Sequence, residues 1–321
     1  MKKALKITGI VLGAMALLIA AAAVYFNIKG IPSYEVKAPD ITVEPTTDRI
    51  ARGEYLVNQT CVICHLGEDG KLSGTLMEDD PGFGTWYAAN ITQHPEAGIG
   101  KYTDGELMYL LRTGIKRDGQ FAPSFMPRFN LLSDEDLKSI IAYLRSDAPR
   151  VQPVATQQPP QDPTLLAKVV CNLAMEPLPY PEEEISAPPR TDEVAYGKYL
   201  VNGTMLCFMC HSASFETLDE VTPENSPGYL GGGNMVRNPQ NRGEITPSAN
   251  LTMHPKHGLG QWTEEQFAQA VRFGQKPDGK GLSSAMPKFS LLSDEDISAI
   301  WAYLQTVPVL ENNVMAEASR Q

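Results

Sequence analysis

Two copies of a Cys-x-x-Cys-His pentapeptide carry the reactive side chains of this sequence: Cys61-Val62-Ile63-Cys64-His65 and Cys207-Phe208-Met209-Cys210-His211. Thiols three residues apart lie on one side of a helical turn. Both can form thioethers with the vinyl groups of one porphyrin, and the next histidine can then ligate its iron. The spacing is a c-type haem attachment signal. It assigns Cys61, Cys64, Cys207 and Cys210 to cofactor attachment and His65 and His211 to iron ligation, two haems in all. Structural zinc is the rival. It takes four ligands and commonly two such knuckles together, whereas these pairs lie far apart and each has an adjacent histidine.

Haem iron usually takes a sixth ligand on its far face. Met126 and Met286 are the candidates, each followed by proline in Phe125-Met126-Pro127 and Ala285-Met286-Pro287. A proline restricts the residue before it to extended backbone, which presents the methionine from a stiff loop. A thioether is a soft donor that favours ferrous iron and raises the potential. The bland reading is a gap-filling core methionine. Two Met-Pro pairs at matching positions favour ligation.

The matching is general. Tyr55-Leu56-Val57-Asn58 recurs as Tyr199-Leu200-Val201-Asn202, Asn90-Ile91-Thr92 as Asn250-Leu251-Thr252, and Leu131-Leu132-Ser133-Asp134-Glu135-Asp136 as Leu291-Leu292-Ser293-Asp294-Glu295-Asp296. From Asn90 onward the offset is constant, so the second copy carries its insertions between Asn202 and Asn250. These include Gly231-Gly232-Gly233, a mobile loop by composition.

Three helices per copy must position these groups. One leads into each pentapeptide, around 48–58 and 192–202. The second starts at Thr103 with Glu106 completing a capping box, and buries Leu107, Leu110 and Leu111. Its counterpart starts at Thr263 with Gln266 and buries Phe267, Ala270 and Val271. Gly114 and Gly274 end these helices. The third starts at Ser133 or Ser293, with acidic residues against the positive end of the helix dipole. Leu137, Ile140, Ile141 and Leu144 form its apolar face, repeated as Ile297, Ile300, Trp301 and Leu304. No strand pattern of comparable strength appears, so the class is all-α.

The chain has 321 residues with a net charge of −11, which argues against nucleic-acid binding and favours a partner with a basic docking patch. Residues 1–29 are basic at the start (Lys2, Lys3, Lys6) and then apolar, long enough to span a bilayer as an anchor. A cleaved signal peptide is the rival. Either places the body outside the cytoplasm, on the periplasmic side of an inner membrane. Residues 30–46 read as a tether, 47–148 as the first domain, 149–190 as a Pro-rich linker with one helix-capable stretch (Thr164–Met175), 191–310 as the second domain and 311–321 as a frayed tail. Cys171 reads as a buried free thiol. His94 and His254 precede proline in polar loops and read as turn histidines. Tyr102 and Trp262 match one another as core residues or propionate donors. The Asn-x-Thr triplets at Asn58, Asn90, Asn202 and Asn250 are too short a pattern to indicate glycosylation.

These residues resemble class I cytochrome c, in two tandem domains. The Asn-Ile-Thr, Gly-Ile-Gly, Met-Pro and Leu-Ser-Asp-Glu-Asp-Leu series is similar to cytochrome c subunits of membrane-bound alcohol and related periplasmic dehydrogenases. The resemblance implies His/Met-ligated haem c and a crossing of first and last helices with glycine against an aromatic residue, Gly53 with Tyr143 and Gly197 with Tyr303. Those subunits typically carry three haem motifs, and this chain has two. The reading is a di-haem cytochrome passing single electrons between a dehydrogenase or quinol-oxidising complex and an acceptor. The alternative is a di-haem enzyme of the peroxidase or thiosulfate dehydrogenase type, which predicts different sixth ligands in the two copies.

Overall fold

A computed structural model of the chain describes residues 2–123, 126–238 and 244–312. Phe125 of the first Met-Pro segment and residues 313–321 of the expected tail lie outside the described residues. The chain runs through α1 (Lys2–Lys29), α2 (Thr47–Gln59), α3 (Val62–His65), α4 (Asp104–Thr113) and α5 (Asp134–Leu144). After α6 (Leu165–Leu173) the order returns as α7 (Glu193–Tyr199), α8 (Cys207–His211), α9 (Glu264–Phe273) and α10 (Asp294–Leu304).

The boundaries follow from local chemistry. The Thr103 side chain accepts from the Glu106 amide and the Glu106 carboxylate accepts from the Thr103 amide; Thr263 and Gln266 do the same. Gly114 (φ 81°) and Gly274 (φ 72°) end these helices in left-handed backbone. Ser133 and Ser293 cap α5 and α10. Thr103→Ala is expected to cost about 1 kcal/mol of stability, seen as a lower urea midpoint.

The helix before each pentapeptide crosses the last helix of its group, α2 on α5 and α7 on α10. A Cβ at Gly53 would stand 1.9 Å from the Ser139 carbonyl oxygen and 2.8 Å from Tyr143 Cβ. At Gly197 it would stand 1.9 Å from the Ala299 oxygen and 2.9 Å from Tyr303 Cβ. The two backbones touch, so only hydrogen fits. Leu137, Ile140, Ile141 and Leu144 are buried beside this crossing, as are Ile297, Ile300 and Leu304, while Leu110, Val271 and Trp301 are half-buried.

The all-α expectation needs one correction. Strands β1 (Leu76–Asp80), β2 (Gly84–Tyr87) and β3 (Asp162–Pro163) form an antiparallel sheet, and β4 (Met235–Arg237) pairs with β5 (Ile245–Pro247). These strands have two to five residues, too few for an alternation to register in sequence.

The segments read as tether and linker are packed against the first helical group. Tyr34 N–H donates to the Gly119 oxygen (2.8 Å), Phe121 N–H to the Pro32 oxygen (3.0 Å) and Val43 N–H to the Asp104 carboxylate (2.9 Å). Val151 is buried, Tyr180 stacks on Tyr109 at 5.7 Å, and Asp134 N–H donates to the Ile185 oxygen at 2.8 Å. Proline marks irregular backbone, and that backbone can still lie against a core.

Candidate haem-attachment sites

Cys61 caps α3 and Cys64 lies within it; Cys207 and Cys210 both lie in α8. The i, i+3 spacing sets each pair on one helical face. All four are free thiols. Burial pushes the Cys64 and Cys210 thiols up to about 11 and Cys207 up to about 12, and raises Cys61 as well, so they are held protonated at neutral pH. Among the described residues no group of three or more His, Cys, Asp or Glu side chains converges as a metal site.

Each histidine is fixed by one hydrogen bond. His65 Nδ1 lies 2.7 Å from the Ala89 carbonyl and His211 Nδ1 lies 2.8 Å from the Ala249 carbonyl. A carbonyl only accepts, so Nδ1 carries the proton and Nε2 keeps its lone pair. Burial lowers both imidazole pKa values, which keeps the rings neutral. A neutral ring oriented through Nδ1 is the form an iron ligand takes.

The short sheets account for those carbonyls. Gly74 N–H donates to the His65 oxygen (2.9 Å), and Gly232 N–H to the His211 oxygen (2.8 Å). Both glycines have positive φ, 86° and 70°, where an L side chain is strained. The chain then runs through the β1–β2 or β4–β5 hairpin and returns with Ala89 or Ala249 beside the imidazole. Sequence reasoning missed Ala89 and Ala249, because a backbone acceptor leaves no residue-type signal. It also misread Gly231-Gly232-Gly233 as mobile. Their amides bond to Gly228 (2.7 Å), His211 (2.8 Å) and Ser248 (3.0 Å).

Met126 and Met286 occupy matching turns. Their amides donate to the Pro123 and Ser283 oxygens, both at 3.0 Å, and both side chains are half-buried against the core. The following loops are clamped to α4 and α9. Arg112 is fully buried, and its Nη1 donates to the carbonyls of Phe129 (3.0 Å), Asn130 (2.9 Å) and Leu132 (2.6 Å), while Nη2 pairs with Asp134. Arg272 donates to the Leu292 carbonyl (2.8 Å) and pairs with Asp294 (2.8 Å).

Other candidates resolve as structural. His94 Nδ1 accepts from the Glu96 (3.2 Å) and Ala97 (3.0 Å) amides, and His254 from Lys256 (3.2 Å) and His257 (3.0 Å). Asn90 and Asn250 are buried and hydrogen-bonded, hence poor glycan acceptors. Tyr102 and Trp262 pack on the core. Cys171 is a buried free thiol with Met175 Sδ at 3.9 Å.

The sites differ just before the pentapeptide. Gln59-Thr60 separates Asn58 from Cys61, but Gly203-Thr204-Met205-Leu206 separates Asn202 from Cys207. The two extra residues are absorbed by a π turn, Leu200–Thr204, and by Leu206 at φ 52°. Inserted residues within a helix commonly take this form at functional sites.

Do these residues fit haem? Buried polar atoms normally have partners. Ser212 Oγ, beside His211, and Ser248 Oγ, beside Ala249, have none in the protein. Unmet polar atoms beside His211 and Ala249, paired thiols on one helical face and a Nδ1-held imidazole suit a covalently bound, partly polar macrocycle.

A family model described as cytochrome c oxidase, cbb3-type, subunit III matches residues 48–144. The chain is 31% identical over 278 residues to the cytochrome c subunit of the quinone alcohol dehydrogenase of Gluconobacter oxydans (strain 621H), covering 81% of this chain and 55% of that protein. It is 30% identical over 271 residues to the gluconate 2-dehydrogenase cytochrome c subunit of Pantoea cypripedii, covering 80% and 59%. A diheme cytochrome c-type protein of Cereibacter sphaeroides is 28% identical over 288 residues, 83% of this chain and 88% of that protein. The chain therefore spans little more than half the length of the dehydrogenase subunits.

Proposed function

We propose that the chain is a di-haem c-type cytochrome. It carries single electrons between a membrane or periplasmic dehydrogenase, or a quinol-oxidising complex, and an acceptor. The carrying observation is the duplicated site: a Cys pair on one helical face, an imidazole held at Nδ1 by a backbone carbonyl, and a Met-Pro turn, once in each helical group. The second group, 191–310, then acts as a second cytochrome domain beside 47–148.

When bound, haem supplies reversible one-electron exchange at its iron. Cys61 and Cys64 would hold one group and Cys207 and Cys210 the other. The Ala89 and Ala249 carbonyls keep Nε2 of His65 and His211 free to ligate. Met126 and Met286 would each supply a soft thioether donor. Arg112 and Arg272 hold the loops after those methionines, limiting rearrangement when the charge changes.

The helix α1 contains a 27-residue stretch, Lys3–Lys29, whose most apolar 18-residue window has a mean hydropathy of 2.5, with none of that window buried. At about 1.5 Å rise per residue this is roughly 40 Å, more than the ~30 Å of a bilayer core. Lys2, Lys3 and Lys6 favour a cytoplasmic start. The function reading includes an inner-membrane anchor with the haem sites facing the periplasm.

Met126→His and Met286→His test ligation. Each is expected to change the visible spectrum and lower the potential of its own site; unchanged spectra in both sink Met ligation. Pyridine haemochrome analysis is expected to give two haems per chain. Peroxide turnover by the reduced protein would support the enzyme alternative instead.

A further inference from the structure

Helix α6 turns an apolar side outward. Leu165, Leu166 and Leu173 are 41%, 52% and 71% exposed, while Ala167 and Cys171 face inward and are buried. Leu166, Val169, Val170 and Leu173 follow the i, i+3, i+4, i+7 spacing of a single helical stripe, and the two valines are half-buried. A soluble protein ordinarily turns such a stripe to its core.

The position of α6 indicates what covers it. It packs against α1. Lys168 Nζ donates to Asn27 Oδ1 at 2.7 Å, and Asn172 Nδ2 donates to the Gly30 carbonyl at 2.8 Å. These contacts lie at the end of the apolar helix. Tyr25 and Phe26 meet edge-on there at 5.2 Å, and Lys29 Nζ stands 5.8 Å over the Tyr25 ring. Aromatic and basic residues at the end of a span mark the interfacial layer of a bilayer. The tie to Asn27 and Gly30 holds α6 at that depth.

We propose that α6 is an interfacial helix that lays Leu165, Leu166 and Leu173 into the outer face of the membrane crossed by α1. This rests on the anchor reading. Lys168 and Asn172 join α6 to α1, the outward leucines enter the acyl boundary, and the haem-bearing groups sit close above the lipid. Two contacts of different kinds, span and surface helix, restrict the tilt of the periplasmic body in a way a single flexible tether would not.

The test uses the full haem-loaded chain in phosphatidylcholine–phosphatidylglycerol vesicles. A nitroxide is placed through Leu173→Cys in a Cys171→Ala background, with Phe273→Cys on α9 (54% exposed) as the reference. Vesicle flotation of the unsubstituted chain reports the anchor separately. The expected result is a chain that floats, with the nitroxide at 173 relaxed several-fold more by oxygen than by a water-soluble nickel chelate, and the opposite ratio at 273. A floating chain whose position 173 responds like 273 overturns the α6 proposal and leaves the anchor standing. So does protection of 173 from both reagents, which would mean a protein cover. Failure to float overturns both.

Discussion

Gly53→Ala is expected to destabilise the first helical group by about 2 kcal/mol, although the same change in an isolated helix would stabilise it. Helix propensity favours alanine by about 1 kcal/mol. Against this, the new Cβ would sit 1.9 Å from the Ser139 oxygen, so α2 and α5 must separate. Overpacking of that kind costs up to about 3 kcal/mol, and it wins because the atom displaced is backbone. Gly197→Ala should behave alike in the second group, where the Ala299 oxygen is also 1.9 Å away. Urea denaturation of the haem-loaded chain measures this. A higher midpoint in either variant would contradict the crossing.

The second large effect belongs to two tyrosines that join the helical groups. Tyr55 OH, on α2, donates to Asp296 Oδ2 at 2.6 Å, at the start of α10. Reciprocally, Tyr199 OH, on α7, donates to Asp136 Oδ2 at 2.7 Å, at the start of α5. Asp136 also takes two bonds from Arg52 at 2.7 Å, and Arg190 approaches Asp296 at 3.4 Å. Asp136 and Asp296 are only 6% and 1% exposed. A hydrogen bond to a buried charged group contributes about 1.5–3 kcal/mol, so Tyr55→Phe with Tyr199→Phe should cost about 4 kcal/mol. The loss falls on the joint between the groups. Small-angle scattering should show a larger radius of gyration while each site keeps its visible spectrum. An unchanged radius and urea midpoint would remove the joint from the argument.

The pH dependence of that joint has a definite sign. Burial, followed by the facing aspartates, raises both phenols above the ordinary value near 10. The folded state therefore holds protons that the unfolded chain releases first. The contribution is full below pH 10 and is lost as pH rises through the elevated folded values. Titration of the joint by scattering should show an alkaline transition in the parent chain that the double phenylalanine variant lacks.

Asp136 and Asp296 show where reading a sequence stops. Their place in the first turn of a helix was legible, and the caps at Ser133 and Ser293 are present. They are also buried acceptors, because the other helical group supplies a tyrosine to each. A partner so distant in sequence leaves no local pattern. The tether at 30–46 and the Pro-rich segment at 149–190 taught the same lesson. Their composition predicts irregular backbone correctly and is silent on whether that backbone packs.

What the residues displayed alone is the paired motifs and their duplication: Cys61, Cys64 and His65 against Cys207, Cys210 and His211, the Met126 and Met286 turns, the capped helices and the glycines at the crossings. Each is local, set by covalent spacing, helical period or the absence of a Cβ. Only the folded chain decided which carbonyl orients each imidazole, how a π turn absorbs the two extra residues before Cys207, and which tyrosine meets which aspartate. These depend on where the chain returns after a hairpin or a second helical group. That return is fixed by packing over the whole molecule, and no short window of sequence contains it.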